Sequence, residues 1–131
     1  EPGSGKTAVA LRFLADLPAD TVRVFVPTAK FARPAELFQA LLFDFGAEYR
    51  GLTEHELRLA VTDHLLTGLG GDGPTVIVFD EAQHLSPDLL EEVRLLGNLE
   101  SRTAKAAFVV LVAQPTLRDV LAKSAAVAQR V

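Results

Sequence analysis

The chain begins with Glu1-Pro2-Gly3-Ser4-Gly5-Lys6-Thr7, a phosphate-binding loop motif that lacks its first glycine. The complete motif reads G-x-x-x-x-G-K-[ST], so its first position would lie immediately before Glu1. Loops of this kind connect a strand to a helix. The motif therefore predicts a strand that precedes this chain, and we expect the sequence to be a piece of a longer protein.

The residue types in this loop suit a nucleoside triphosphate with Mg²⁺. Gly3 and Gly5 allow backbone N–H groups to approach phosphate oxygens without a Cβ in the way. Lys6 supplies a positive charge for the β- and γ-phosphates, and the Thr7 hydroxyl is placed to coordinate the metal. The predicted binding residues are Glu1, Pro2, Gly3, Ser4, Gly5, Lys6, Thr7 and Ala8. The alternative is a chance glycine-rich turn in front of a helix.

A second stretch supports the nucleotide interpretation. Residues 75–79 read TVIVF, a continuous apolar run typical of a strand buried on both faces, and Asp80-Glu81 follows it directly. Ligands of open α/β sheets bind outside such strand ends. We predict that Asp80 binds Mg²⁺ and that Glu81 is the general base that deprotonates the attacking water. Taken alone, the two acids are also consistent with simple capping of the next turn; with the phosphate loop, they form a Walker B arrangement.

The rest of the sequence alternates helical and strand patterns, which predicts an α/β fold with a mostly parallel sheet. The linker at 68–74, GLGGDGP, lacks the Lys-Ser/Thr pair of a second phosphate loop. The predicted helices are 6–17, 34–45 with Gly46 as cap, 53–68 opened by a Thr53–Glu56 capping box, 86–99 and 115–122. The predicted strands are 21–26, 75–79 and 106–112, of which the last two are expected to be buried.

Composition limits the possible classes of protein. The 131 residues are enough for one domain, and a net charge of −4 argues against a dedicated polyanion binder. The absence of cysteine excludes disulfides, thiolate catalysis and a cysteine zinc site, and the three histidines show no metal-ligand spacing. The apolar run at 106–113 is shorter than the roughly 20 residues of a membrane-spanning helix. We therefore expect a cytoplasmic domain.

Four further polar residues are candidates for the site. Gln114 follows a predicted strand and is placed to sense the γ-phosphate, although a simple turn contact is the alternative. Thr28 ends another predicted strand and is a candidate contact of Glu81, but an ordinary loop position is also consistent. Arg130 is a candidate for an arginine that reaches the active site of a neighbouring subunit and stabilises charge on the phosphates. Its spacing alone favours a solvated surface residue. His84 is expected to be a surface turn residue.

Three segments together resemble the AAA+ ATPases: the loop at 1–7, VIVFDEAQHLS at 76–86 and LVAQPTLR at 111–118. Within that family they are most similar to the ExeA branch, which includes general secretion pathway protein A, MSHA-pilus biogenesis relatives and TniB-type transposition helpers. The most specific part is DEAQHLS at 80–86, followed by LLEEVRLLGNLE at 89–100. The resemblance covers essentially the whole chain.

This resemblance implies a three-layer αβα sandwich with strand order 5-1-4-3-2 in the family's numbering. The chain would then be a partial AAA+ ATPase core over residues 1–131, with the first and fifth core strands and the helical lid outside it. It also implies ATP and Mg²⁺ as ligands, homo-oligomers that complete each site, and a protein partner in a secretion, pilus or transposition complex, with DNA as a further possible partner. The family's sensor falls on Gln114, and its arginine finger on Arg130.

The sequence departs from the branch at three positions. Ala113 stands where the branch usually has glycine, and His84 and Thr28 stand where it often has asparagine. The leading hypothesis is a Mg²⁺-dependent ATPase that powers or gates assembly of a secretion or pilus complex. The alternative is an ATP-gated transposition helper with slow hydrolysis. A small-molecule kinase is weaker, because an Asp-Glu pair suits water activation better than an acceptor hydroxyl.

The missing strands imply an exposed apolar edge. Only three strands are predicted, in the implied order 4-3-2, so strand 106–112 would lack a neighbour on one side. We expect the 131-residue chain alone to be poorly soluble and to bind ATP weakly.

Overall fold

The computed structural model describes residues 4–69, 73–102 and 104–113 of the chain. Within these ranges, helices and strands alternate as the sequence predicts. The helices are α1 (Ser4–Ala15), α2 (Pro34–Phe45), α3 (Glu54–Leu69) and α4 (Pro87–Gly97), with a short 3₁₀ turn at Ala82–His84. The strands are β1 (Val22–Val26), β2 (Thr75–Phe79) and β3 (Ala107–Leu111). None of the described helices is long and apolar enough to cross a membrane.

The three strands form one parallel sheet with β2 in the centre. Val26 pairs with Phe79 and Phe79 with Leu111, so the strands end level with one another. The α/β class and the order of these strands are therefore confirmed. Because the strands are parallel, all three carboxyl ends lie at the same edge of the sheet.

Helices cover both faces of the sheet and produce three layers. On one face, Ala10 and Leu14 of α1 pack against Val76 and Val78 of β2. On the other face, α2, α3 and α4 enclose the larger core around Ile77. Its largest fully buried side chains include Phe38, Phe79, Leu37, Leu41, Leu42, Leu57, Leu65 and Leu89. Every residue of β2 is buried, as the uninterrupted apolar run predicts.

Local sequence signals explain several element ends. Gly46 adopts φ 75°, and its N–H donates to the Phe43 carbonyl, so it ends α2 as predicted. Before α3, the Thr53 hydroxyl accepts from the Glu56 N–H at 3.1 Å, and the Glu56 carboxylate accepts from the Thr53 N–H at 2.8 Å. This reciprocal pair is the predicted capping box.

An ion pair joins α3 to α4. The Arg58 guanidinium donates twice to the Glu92 carboxylate, at 3.1 and 2.7 Å, and lies 5.2 Å from the centre of the Phe38 ring. The hydrogen bonds that Arg58 donates to the Glu92 carboxylate raise the pKa of Arg58. The ion pair and the contact with Phe38 together link α2, α3 and α4, which lie in one layer.

One sequence prediction about burial is wrong for the described residues. Strand 106–112 was expected to be buried, but in β3 only Ala107 is buried, and Phe108 and Leu111 are 45% and 46% exposed. In α1, the apolar side chains of Val9 and Phe13 are likewise 70% and 44% exposed. The reason is shared: β3 is an edge strand of the described sheet, as the expected strand order implied, and these side chains lie beside that edge.

Some predicted bounds shift by one or two residues. The first helix begins at Ser4 instead of residue 6 and ends at Ala15, and the last described helix ends at Gly97. The predicted helix 115–122 lies outside the described residues.

Candidate active site

The polar residues of the candidate site meet where the three strands end. Backbone hydrogen bonds continue past the strands: the Asp80 N–H donates to the Val26 carbonyl, and the Val112 N–H donates to the Phe79 carbonyl, both at 2.9 Å. The N-terminus of α1 lies at the same edge of the sheet, because Lys6 contacts Ala113 after β3 and Thr7 contacts Asp80 after β2. A helix N-terminus carries a partial positive charge and free N–H groups, which favour anions.

Thr7 and Asp80 are in direct contact although 73 positions separate them in the chain. The Thr7 hydroxyl donates to Asp80 Oδ2 at 2.5 Å, and the Glu81 N–H donates to Asp80 Oδ1 at 2.9 Å. Asp80 is only 5% exposed, so its carboxylate is desolvated and both oxygens are held by hydrogen bonds. This fixes the orientation of the acid toward the first turn of α1.

Lys6 reaches the end of β3. Its ammonium donates to the Ala113 carbonyl at 2.6 Å, and the residue is exposed. The contact places a positive charge beside the strand end that precedes Gln114.

Glu81 occupies an unusual backbone conformation. Its φ is 56° and ψ is 41°, and it is the single residue other than glycine with positive φ in the described part of the chain. Such a conformation is uncommon for a side chain of this size and is often found at functional sites. The Gln83 amide donates to Glu81 Oε1 at 2.7 Å, and His84 Nε2 lies 3.9 Å from the same oxygen. His84, expected to be a surface turn residue, is exposed but adjoins the candidate base.

The donor set suits a magnesium ion that arrives with its own phosphate ligands. Mg²⁺ in proteins is commonly held by one or two carboxylates together with substrate phosphates and water. Thr7 and Asp80 provide two such oxygens at a helix N-terminus. Within the described ranges, no group of three or more histidine or acidic side chains forms a metal cluster. The hydroxyl of Thr7 and the carboxylate of Asp80 therefore fit a metal that is also bound by phosphate oxygens.

Several predicted site residues cannot be placed. Glu1, Pro2, Gly3, Gln114 and Arg130 lie outside the described residues. Ser4 is the first residue of α1, and Gly5 and Ala8 are exposed in its first turns. A Cβ built on Gly5 would meet nothing within 4 Å of the described structure.

Thr28 is described but does not contact the candidate base. It is exposed, and its side chain forms no hydrogen bond to Glu81 in the described part of the structure. The suggested contact between Thr28 and Glu81 is therefore absent, because the residue that bonds Glu81 comes from the turn that follows it.

The AAA domain family matches residues 1–121. The chain belongs to the AAA domain family. Over 124 residues, this AAA domain is also 36% identical to general secretion pathway protein A of Aeromonas hydrophila. The alignment covers 92% of the chain but 22% of that relative, so the chain spans about a fifth of its length.

Solved structures show the same fold at low sequence identity. Two structures of the ORC2 protein of Aeropyrum pernix match this AAA domain with TM-scores of 0.66 and 0.58, at 17% and 16% identity. The matches cover 97% and 94% of the chain, and 35% and 32% of the ORC2 chains. At this identity, the likeness establishes the AAA+ P-loop fold and nothing finer.

Sequence reasoning missed one residue in the site and one at the far end of the helix that carries Lys6 and Thr7. Gln83 was noted only as part of a family phrase, although an amide two positions after an acid pair is a recognisable signal. Arg23 stood out only as a polar position in an alternating strand. In the structure it donates to carbonyls at the end of α1, the helix that carries Lys6 and Thr7.

Proposed function

We propose that this AAA domain binds ATP with Mg²⁺ and hydrolyses it. The observation that carries the proposal is the contact between Thr7 and Asp80, because it joins the first turn of α1 to the acidic end of β2. A phosphate-binding helix start and a buried carboxylate at one edge of a parallel sheet form a site for a metal-bound triphosphate. The ORC2 structures that share the fold are described as ADPNP-ADP complexes and an ADP form.

Each residue has a role that follows from its position. The Lys6 ammonium exchanges the Ala113 carbonyl for phosphate oxygens, which are the stronger, charged acceptors. Thr7 and Asp80 hold Mg²⁺, which, when bound, offsets the negative charge of the phosphates. Glu81 accepts the proton of the attacking water as general base. Backbone groups of residues 1–8 surround the phosphates, as the motif predicts.

Two proposed roles concern residues beyond those described. We assign Gln114 as the sensor of the γ-phosphate, since it follows the Ala113 carbonyl that Lys6 contacts. We assign Arg130 as an arginine finger that acts on a neighbouring subunit, which requires a homo-oligomer. Both roles rest on the resemblance to the AAA+ family, with residues 1–131 proposed as a partial AAA+ core; the family match over residues 1–121 includes Gln114 but not Arg130.

The proposed cellular role is assembly of a secretion or pilus complex. It rests on the 36% identity to general secretion pathway protein A. An ATP-gated transposition helper is the second candidate. A test is whether DNA or a protein partner changes the ATPase rate of the full-length natural protein: stimulation by DNA would contradict the secretion role.

The substitution Glu81→Gln tests the hydrolytic function. It keeps the size of the side chain and its hydrogen bonding but removes the base, so we expect turnover to fall by about 10²- to 10⁴-fold. ATP binding, measured by titration with the full-length natural protein, is expected to stay within about twofold, since the metal and phosphate contacts remain.

Glu91→Gln is the matched control. Glu91 is an exposed glutamate of α4 that pairs with Arg94, so its loss should leave turnover unchanged. Unchanged turnover in the Glu81→Gln variant would remove Glu81 from its proposed role. A wild-type protein that binds ATP but never hydrolyses it would contradict the proposed function as a whole.

A further inference from the structure

We infer that Gln83 is the positioning residue for Glu81: its side-chain amide holds one carboxylate oxygen so that the other faces the attacking water. This inference rests on the proposed function, because it concerns how the proposed base is oriented. The sequence suggested Thr28, at the end of β1, as a contact of Glu81. The inference assigns that contact to Gln83, in the turn after β2.

The hydrogen bond itself is short and well placed. Gln83 Nε2 donates to Glu81 Oε1 at 2.7 Å, and both side chains are only partly exposed. A neutral donor on an ionised carboxylate is a charge-assisted bond, which is stronger than a bond between neutral groups. His84 Nε2 lies 3.9 Å from the same oxygen, beyond hydrogen-bonding distance. Gln83 is therefore the direct donor from this turn.

The backbone on both sides of Glu81 is already fixed. The Asp80 N–H donates to the Val26 carbonyl, and the Ala82 N–H donates to the Val112 carbonyl, each at 2.9 Å. These bonds tie the residue to the ends of both neighbouring strands and hold its left-handed conformation. What remains free is the side chain of Glu81, whose rotamers would otherwise exchange rapidly. Gln83 removes that freedom.

The second carboxylate oxygen of Glu81 is available to accept a proton from water. In the described part of the chain, Glu81 Oε2 has no hydrogen-bond partner, whereas Oε1 is bonded by Gln83. A general base needs an oxygen within hydrogen-bonding reach of the water whose proton it accepts. One oxygen thus anchors the carboxylate, and the other is available to the water.

Thr28 does not supply an equivalent anchor. It is exposed and forms no hydrogen bond to Glu81 in the described structure. The orientation of the carboxylate therefore depends on a residue two positions along the same chain segment, and not on the neighbouring strand.

The test uses Gln83→Ala and Gln83→Glu in the full-length natural protein. Removal of the amide should lower kcat for ATP by about 10- to 100-fold, because a misplaced base reacts poorly. The KM and the directly titrated ATP affinity should stay within about twofold, since the bond that defines the proposed role goes to the base Glu81, whereas Lys6, Thr7 and Asp80 are assigned to phosphate and metal. Gln83→Glu has the same size but no N–H donor and a repelling charge, so it should lose at least as much activity as the alanine variant.

Gln39→Ala is the matched control, because Gln39 is an exposed glutamine of α2 and its loss should not change kcat. An unchanged or raised kcat in Gln83→Ala, with Glu81→Gln still inactive, would overturn the positioning role and leave the proposed function intact. Full activity in Gln83→Glu would also overturn it, since packing alone would then suffice. Retained turnover in the Glu81→Gln variant would contradict the proposed role of Glu81 as base, and with it the positioning role of Gln83.

Discussion

At the scale of single residues, the buried carboxylate of Asp80 decides how the site is arranged. A desolvated acid is costly unless hydrogen bonds compensate it, and here the Thr7 hydroxyl and the Glu81 N–H do so. Both partners are neutral donors, so neither brings a positive charge to the acid. This is the position at which we propose that Mg²⁺ binds together with a triphosphate.

The substitution Asp80→Asn tests the metal role. It preserves shape but removes the negative charge, so we expect the Mg²⁺ concentration for half-maximal ATP binding to rise at least about tenfold. Titration of Mg²⁺ against ATP binding in the full-length natural protein measures this shift. Binding of ATP without Mg²⁺ is the internal control and should not weaken. An identical Mg²⁺ requirement in both proteins would exclude Asp80 as a metal ligand.

At the scale of secondary structure elements, the end of α1 depends on Arg23 of β1. Its guanidinium donates to the carbonyls of Leu14 and Leu17, both at 2.6 Å, and to those of Pro18 and Thr21 at 3.0 and 3.1 Å. The last carbonyls of a helix lack partners within the helix, and a cation there also complements the helix dipole. One side chain thus fixes α1 to the strand beside it.

Replacement of Arg23 by methionine should destabilise the domain. The variant keeps an apolar stem but leaves these carbonyls to water, at a cost of about 1–2 kcal/mol because the site is partly exposed. We expect the melting temperature of this domain in the full-length natural protein to fall by about 2–8 °C. The exposed Arg102→Met is the control and should melt like the wild type. Equal melting of both variants would show that the Arg23 bonds contribute nothing.

At the scale of the whole molecule, the sheet edge at β3 carries exposed apolar side chains. Apolar grooves of about 790 and 670 Å³ run along this strand, and both include Phe13 of α1 in their walls. Phe108 and Leu111 are almost half exposed on the same strand. Unpaired edges with apolar side chains are common sites of association between chains.

The 131-residue chain expressed alone is accordingly expected to aggregate and to bind ATP weakly. The substitution Phe108→Lys adds a charge at the edge and should reduce aggregation in size-exclusion chromatography and light scattering. Leu59→Lys, at a residue of α3 that is 54% exposed, adds the same charge elsewhere and should help much less. A monodisperse wild-type chain with micromolar ATP affinity would contradict this prediction.

Local patterns explain why much of the fold was predictable. The bounds of α2 and β2 agree with the sequence prediction, because Pro34, Gly46 and the TVIVF run act through neighbouring backbone geometry. The exposed edge at β3 followed from the family's strand order and not from local patterns, and the exposure of one side of α1 was not predicted at all. An apolar side chain is buried only if another element covers it, and that depends on which elements are adjacent in the sheet.

The sequence by itself determined the residue types of the candidate site: a loop with Lys6 and Thr7, and a strand that ends in Asp80 and Glu81. These motifs are contiguous, so their chemistry can be recognised without a fold. Only the tertiary structure decided that Thr7 touches Asp80 and that Gln83, not Thr28, holds Glu81. Sequence patterns determine backbone structure over a few neighbouring residues. A hydrogen bond between two side chains depends instead on how the whole chain packs.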